Sequence, residues 1–390
     1  EIIDTPGAII TPLMGGLIKT MRFFVKNINL VKILIYSFIT ICDILRKTIY
    51  KYKPTGILLH SGLLGHALYI NRFDIPTTFL HFCPGFIPNK QIPFPFNNIL
   101  KDPNKLLFTN NRKEHVYNLK NGFDYQKSLM SMNIKIGFGL FKNYSYFKKF
   151  QNIMTFSPPL IPKLTYSNKI SPIIKNVGFL QPNLPNTPLD NILSKWIKKS
   201  TKNKGKIIFI SFGSYLHMLS KTNDILYIFL SQLHKYCELN NLFILLHDDK
   251  KILPKDLVTK IKKLSRILVY NNFVAYTTIV PKCKIVCFTG SVCLQNICWT
   301  NKCPMLYVPV LTEQFMWAKI YKYHTKQPYI DYINDKPTMI YNKIQQNFKW
   351  IETKISEQFL NRIYKSIPKN TSKDIADCII KYNTKFKRLY

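Results

Sequence analysis

From residue 206 onward, short apolar runs alternate with segments whose apolar residues recur at helical spacing. The apolar runs predict buried strands at 206–212, 242–246, 267–270, 284–288 and 305–308. The segments between them predict helices at 222–239, 254–264, 291–300 and 313–325. This alternation favours a parallel sheet with helices on both faces. Ligands bind such sheets outside the carboxyl ends of the strands, which predicts a ligand site at that edge.

The first half of the chain is less regular. A long helix is predicted within 19–52, and Lys53-Pro54 ends it. The segments 56–61 and 75–82 predict two strands joined by a helix at 62–73, which makes one βαβ unit. Strands are also predicted in 153–163 and at the start of 173–188, whose Pro- and Asn-rich remainder is typical of a linker. A chain of 390 residues is long enough for two domains.

The formal net charge is +36. Two interpretations are compatible with it: a polyanionic partner, or codon bias, since Lys, Asn, Ile, Phe and Tyr dominate together. The lysines are spread along the chain and form no Arg-rich cluster, so no specific nucleic-acid partner is expected. A field of this sign still attracts phosphates, and peripheral contact with an anionic membrane is expected from it.

Other composition signals are mostly negative. The nine cysteines include no CxxC pair, so no structural zinc or other metal site is expected. We expect buried free thiols in a reducing compartment instead. The longest apolar run, Ile33–Leu45, is interrupted by Thr40 and Asp43 and is too short to cross a bilayer. We therefore expect a cytoplasmic protein that contacts membranes only peripherally.

Three segments resemble the donor half of the UDP-dependent glycosyltransferases of the GT-B type. They are 207–214, 272–281 and 287–318, in which Pro304, Pro309 and Glu313-Gln314 fit the family's spacing without a gap. The Ser-Pro strand end and Val-Gly-Phe strand within 154–183, with 65–80, are similar to the sterol glucosyltransferase-like branch.

The resemblance implies an α/β architecture with two Rossmann-like domains facing each other across a cleft. The acceptor side is assigned to residues 1–183, and the resemblance implies that the first strand and loop of that domain are missing. The UDP-sugar side is assigned to 184–356, and the helices of 357–390 are expected to pack back on the first domain.

The resemblance also implies a set of donor-binding residues. Thr289, Gly290 and Ser291 correspond to a His-Gly-Gly loop that holds the diphosphate. Thr289 replaces the His, and the bulkier Val292 and Cys293 leave the affinity for a diphosphate open. The remaining residues implied at the donor site are Ser211, Gly213, Ser214, Val274, Tyr276, Glu313 and Gln314. The resemblance also places Val274 at the end of a strand.

Each of these assignments has a structural alternative. Gly213-Ser214 is also compatible with a plain βα turn, and an aromatic residue such as Tyr276 is also compatible with core packing. Glu313 and Gln314 match the pair that binds hydroxyl groups of the donor sugar. A Glu at the start of a helix is also favoured by the helix dipole alone.

The catalytic residue is not identified by sequence. The family places a His after the first strand of the amino-terminal domain, where it deprotonates the acceptor hydroxyl. His66 is a weak candidate, since its position in the chain matches a later segment of the family. His81 and His115 are further histidines that a cleft could include.

Two functions follow as expectations. The first is transfer of a hexose from a UDP-sugar to a hydroxyl of a lipid-like, sterol-type acceptor, with inversion and with no cofactor beyond the donor. The second is a catalytically degenerate GT-B protein that acts as a binding or regulatory module at an anionic membrane.

Overall fold

The computed structural model describes most of the chain after residue 27. Helices and strands are assigned within the following described residues: 28–60, 70, 73–84, 87, 89–93, 108, 112–115, 117–118, 120, 150–156, 159–161, 164, 174–179, 187–202, 204–216, 223–248, 251–331 and 334–387. Most of the predicted helix at 62–73, most of 101–150 and most of the proposed linker lie outside them.

The described strands form two parallel sheets. The strands are β1 (Ile57–His60), β2 (Thr77–His81), β3 (Gln151–Met154), β4 (Ile174–Asn176), β5 (Lys206–Ser211), β6 (Leu242–His247), β7 (Ile267–Tyr270), β8 (Cys283–Phe288) and β9 (Met305–Tyr307).

The major helices follow the same order. They are α1 (Ile28–Tyr52), α2 (Asn191–Thr201), α3 (Asn223–Leu239), α4 (Lys255–Lys262), α5 (Tyr276–Ile279), α6 (Val292–Thr300), α7 (Thr312–Thr325), α8 (Pro337–Ile351), α9 (Lys354–Lys365) and α10 (Thr371–Lys387). Within the described part of the chain, no helix combines the length and apolarity that crossing a membrane requires.

The chain divides into two compact units. Unit 1 comprises Glu1–Leu180, Leu311–Glu313 and Pro368–Tyr390, and unit 2 comprises Gln181–Val310 and Gln314–Ile367.

Unit 1 contains the sheet β1-β2-β3-β4, in which all neighbours pair in parallel. The carboxyl-terminal helix α10 packs on this sheet: Ile375 and Cys378 share a buried cluster with Ile153 and Val177. The Gln151 side-chain amide donates to the Cys378 carbonyl at 3.2 Å. Residues near the end of the chain therefore complete the core of the unit that contains its beginning.

Unit 2 contains a five-stranded sheet with the order β7-β6-β5-β8-β9. Alternate residues of the strands face opposite sides. One side packs on α3 and α8 through a buried cluster that includes Ile208, Ile244 and Phe348. On the other side, the Tyr307 ring of β9 packs at a tilt against Tyr321 of α7 with ring centroids 5.3 Å apart, and the Tyr307 hydroxyl donates to Gln295 of α6 at 2.6 Å. Helices thus cover both faces, as the strand–helix alternation predicts.

The sequence-based strands and helices of unit 2 are confirmed to within two residues at each end. One local expectation was wrong. Val274 was taken to end a strand, but β7 ends at Tyr270 and Val274 lies buried in the loop before α5. The physical reason is that residues 271–275 leave the sheet edge and lead into the short helix α5, so Val274 and Ala275 are buried within a loop, whereas Phe273 is exposed.

Candidate functional site

Strands β5 and β8 pair with each other in the centre of the unit 2 sheet, and the strand order reverses between them. At such a switch point the loops after the two strands diverge and leave a crevice at the carboxyl edge. Ser211, the last residue of β5, is in register with Phe288, which directly precedes Thr289. The two predicted donor segments therefore begin side by side at this crevice.

Ser211 and Tyr276 are joined by a hydrogen bond between their side-chain hydroxyls at 2.9 Å. Tyr276 is the first residue of the short helix α5 and is half-buried. The bond ties the end of β5 to the segment 65 residues later in the chain, and it places two hydroxyl groups at the carboxyl edge. Either hydroxyl is able to donate, so the pair suits a ligand that offers both donors and acceptors.

His247 supports Tyr276 from the neighbouring strand. Its ring lies edge-on to Tyr276, with centroids 6.0 Å apart, and its Nε2 donates to the Asn272 carbonyl at 3.1 Å. Sequence reasoning did not select His247, although it directly follows the predicted strand 242–246. Its position at a strand end was the available signal.

The loop after β8 approaches α7 closely at Gly290. Gly290 has φ +113°, and a Cβ atom there would lie 3.2 Å from the Cβ of Gln314. This conformation and the close approach both require glycine. Thr289 beside it is buried, whereas Ser291 is exposed and occupies the N-cap position of α6 without a side-chain capping bond. The backbone N–H groups that open α6 have no acceptor within the helix, as at any helix start, and the helix dipole favours an anion there.

Gln314 is buried, with only 3% of its surface exposed. Its amide oxygen accepts a hydrogen bond from the Val310 backbone N–H at 2.8 Å. This contact fixes the loop between β9 and α7 and positions the Gln314 side chain against Gly290. The sequence resemblance had assigned the side chain to a sugar hydroxyl, but it did not indicate this bond to the backbone.

The remaining predicted residues have diverse positions. Gly213 has φ +53° and open space where a Cβ would stand, and it begins a 3₁₀ turn that includes the backbone of Ser214. The side chain of Ser214 is outside the described residues. Glu313 is half-buried in the first turn of α7 and is grouped with unit 1. Phe273 is exposed.

The candidate bases lie in unit 1. His66 lies outside the described residues. His81 at the end of β2 is fully buried, its Nε2 is 2.9 Å from Asn152 Oδ1, and burial lowers the pKa of its ring to about 4. A buried imidazole of this kind is part of the packing of the sheet. His115 is half-buried in a short helical segment.

Within the described residues, no group of three His, Cys, Asp or Glu side chains is placed to hold a metal ion. Of the nine cysteines, all are free thiols, and burial raises the pKa of Cys283, Cys287 and Cys298. Cys293 differs from its neighbours because it is exposed, in the first turn of α6.

Comparison with known proteins gives structural matches only. No family model matches the chain, and no curated protein matches it. Among solved structures, Medicago truncatula UGT71G1 complexed with UDP-glucose aligns with a TM-score of 0.59 at 13% identity, covering 88% of this chain and 80% of that one. Phytolacca americana UGT2, complexed with UDP-2-fluoroglucose and pterostilbene, aligns at 0.58 and 14%, covering 90% and 80%. The glycotransferase of kitacinnamycin aligns at 0.57 and 11%, covering 91% and 83%.

The chain has the GT-B glycosyltransferase fold. Alignments over 88–91% of the chain at 11–14% identity establish this architecture. The Ser211–Tyr276 and Gly290–Gln314 contacts both lie at the carboxyl edge of the unit 2 sheet.

Proposed function

We propose that the protein transfers a hexose from a UDP-sugar to a hydroxyl of a lipid-like, sterol-type acceptor, with inversion. The observation that carries the proposal is the convergence of Ser211, Tyr276, Thr289 and Gly290 at the switch point between β5 and β8. Structures with the same fold are described as glycosyltransferases and include complexes with UDP-glucose and UDP-2-fluoroglucose.

The donor is proposed to bind with its diphosphate at the start of α6. Backbone N–H groups after Gly290 supply donors to the phosphate oxygens, and the Thr289 hydroxyl supplies one more. Ser211 and Tyr276 are proposed to lie beside the nucleoside or the sugar. With one Gly290 in place of a glycine-rich loop, the diphosphate has less room than a loop of several glycines provides, which predicts modest affinity.

The hexose is proposed to lie near the start of α7. We propose that Glu313 binds the sugar hydroxyls, because a carboxylate accepts hydrogen bonds from two hydroxyl groups at once. Gln314 is assigned a positioning role: its bond to Val310 N–H fixes the loop that precedes Glu313.

The chemistry is a single displacement. The acceptor oxygen forms a bond to the anomeric carbon, and the bond from that carbon to the UDP oxygen breaks, with the electron pair leaving on UDP. The proton of the acceptor hydroxyl passes to a general base. His66 stays a candidate for this base. The lipid-like acceptor rests on the resemblance of 154–183 to the sterol glucosyltransferase-like branch.

Product formation tests this function directly. The purified chain is incubated with radiolabelled UDP-glucose and a panel of sterols and other hydroxylated lipids, and the lipid extract is counted. We expect label in the lipid phase, with loss of at least tenfold in Tyr276→Ala because both the hydroxyl and the ring are removed. If no combination of acceptor and sugar nucleotide in a broad panel gives product, the transferase proposal is contradicted.

A binding protein without turnover is the second candidate. It is favoured by the exposed Ser291 and Cys293, which stand where the family has glycines. Such a protein would bind UDP-sugar saturably yet release no UDP over hours. Measuring binding and UDP release on the same preparation separates the two candidates.

A further inference from the structure

His247 ends β6 with a buried polar ring. The other residues of that strand, 242–246, are all apolar, and only 5% of His247 is exposed. A buried polar ring costs free energy unless its N–H groups are hydrogen-bonded. Another apolar residue would pack against the sheet without that cost, so packing alone does not account for a histidine at this position.

The ring of His247 is bonded to the loop that leads to Tyr276. Its Nε2 lies 3.1 Å from the Asn272 carbonyl oxygen. A carbonyl oxygen only accepts, so Nε2 carries a proton and donates it to this bond. Asn272 and its neighbour Phe273 are exposed, so burial does not hold this part of the loop. The bond therefore ties an exposed stretch of loop to the end of a strand.

The same ring also lies against the Tyr276 side chain. His247 pairs in register with Ser211 across β5 and β6, and Phe209 precedes Ser211 by two residues, so these three side chains face one side of the sheet. The ring centroids of Phe209, His247 and Tyr276 are 5.8–6.1 Å apart. Two rings of the sheet thus contact the Tyr276 ring, while the Ser211 hydroxyl bonds to its hydroxyl.

Two contacts of His247 converge on the segment 272–276. The hydrogen bond holds the backbone at residue 272, and the ring contact holds the side chain at residue 276. Asp190 also accepts a hydrogen bond from the Asn272 side chain at 3.2 Å, but that contact is exposed and water competes for it. The His247 bond is partly buried, where a hydrogen bond is stronger.

We propose that His247 is a positioning residue for the sugar nucleotide. Through its bond to the Asn272 carbonyl, it fixes the segment that holds Tyr276 at the carboxyl edge. The inference rests on the proposed function, in which Tyr276 lies beside the nucleoside or the sugar. A residue that positions a binding side chain affects the binding of the donor and not the displacement step. Its loss should therefore raise the KM for the UDP-sugar and leave kcat unchanged.

Two substitutions separate the hydrogen bond from the bulk of the side chain. His247→Leu removes the donor at similar volume, whereas His247→Gln keeps an N–H donor near the position of Nε2. We expect the affinity for UDP, measured by calorimetry on the full chain, to fall about fivefold in His247→Leu and less than about twofold in His247→Gln. The KM for the UDP-sugar should follow these changes, with kcat equal to that of the wild type.

His234→Leu is the matched control. His234 is buried to a similar extent, with 8% exposed, and its Nε2 lies 3.0 Å from the Ser265 hydroxyl. Ser265 lies two residues before the start of β7, at the opposite edge of the sheet from Tyr276. The same loss of a buried ring there should leave the affinity for UDP unchanged. An equal loss of affinity in His234→Leu and His247→Leu would overturn the proposal, since it would reflect a general loss of stability.

A second measurement needs no donor. A double-mutant cycle of Ser211→Ala and Tyr276→Phe in urea measures the coupling between the two hydroxyls, which we expect to be about fivefold in the unfolding equilibrium constant. The cycle is repeated with His247 replaced. The coupling should persist in His247→Gln and disappear in His247→Leu, because Tyr276 then no longer has a fixed position. If His247→Leu does not fold, His247→Phe, which keeps a ring without a donor, takes its place.

The outcomes separate this inference from the function on which it rests. UDP binding by His247→Leu equal to that of the wild type, an equal loss in His247→Gln, or a coupling that persists in His247→Leu would overturn the positioning role. A wild-type chain that binds no UDP would refute the proposed function instead. The coupling measurement would then still decide whether His247 positions Tyr276.

Discussion

Gly290 and Gln314 are in close contact at the carboxyl edge of the unit 2 sheet: a Cβ at position 290 would lie 3.2 Å from Gln314 Cβ. The contact brings the loop after β8 against the first turn of α7, although 24 positions separate the two residues in the chain. The Gln314 side chain in turn accepts a hydrogen bond from Val310 N–H, so one residue contacts both loops of the proposed donor site.

Gly290→Ala should therefore destabilise the fold by about 2–3 kcal/mol, because the methyl group meets Gln314 in a conformation that disfavours side chains. Urea unfolding measures the change. Gly213→Ala is the control: Gly213 also has a positive φ, but there is no atom within 4 Å of its Cβ position. We expect about 1 kcal/mol for it. Equal costs in the two variants would show that the Gln314 contact adds nothing.

The hydroxyl pair of Ser211 and Tyr276 should show energetic coupling. Ser211→Ala and Tyr276→Phe each remove one partner of the 2.9 Å bond, and the double variant removes both. A double-mutant cycle in urea is expected to give a coupling free energy of about 1 kcal/mol. Coupling near zero would mean that the two hydroxyls bond to other groups in solution.

The packing of α10 on unit 1 predicts a strong contrast within one helix. Ile375 is 6% exposed and lies in the cluster with Ile153 and Val177, whereas Ile380 is 63% exposed. Ile375→Ala should lower the free energy of unfolding by about 2–4 kcal/mol, and Ile380→Ala by no more than about 0.5 kcal/mol. Similar effects at the two positions would contradict the contact between α10 and the sheet.

His81 predicts a pH dependence of stability. Burial lowers its folded-state pKa to about 4, whereas a His in the unfolded chain titrates near the ordinary pKa of 6.5. The unfolded chain therefore binds a proton more readily below pH 6.5, and stability falls as the pH falls from there to about 4. The loss from this residue approaches about 3 kcal/mol at the acid end.

Replacing His81 removes that dependence. His81→Gln keeps a hydrogen-bonding group opposite Asn152 and should flatten the stability profile between pH 6.5 and 4, measured by urea unfolding at several pH values. The wild-type protein, measured in parallel at the same pH values, is the reference. An unchanged slope in His81→Gln would show that other groups cause the acid sensitivity.

The apolar pattern was sufficient to predict the strands and helices of unit 2. Runs such as 242–246 are buried on both faces of a parallel sheet, so their length in sequence nearly equals the length of the strand. Loop residues show no regular pattern of apolar positions that would indicate where they lie. Val274 was misassigned for this reason, since it is apolar and buried but lies outside the sheet.

The details of the site depend on contacts that sequence pattern does not encode. The Gln314 bond to Val310 uses a backbone group, and any residue at 310 other than proline would provide it. The Asp190 carboxylate caps α2 through Leu193 N–H and also accepts from Asn272 and Tyr270, about 80 positions away. Neither contact produces a periodic pattern in the sequence, so both are identified only from the folded structure.

The central claim is that the carboxyl edge of the unit 2 sheet binds the uridine diphosphate portion of a sugar nucleotide. Calorimetric titration of the purified chain with UDP tests it most directly, with Tyr276→Ala as the site variant and Lys262→Met as the charge control. We predict one saturable UDP site that is weakened at least tenfold in Tyr276→Ala and unchanged in Lys262→Met. Absence of saturable binding at millimolar UDP, or equal binding by Tyr276→Ala, would contradict the account.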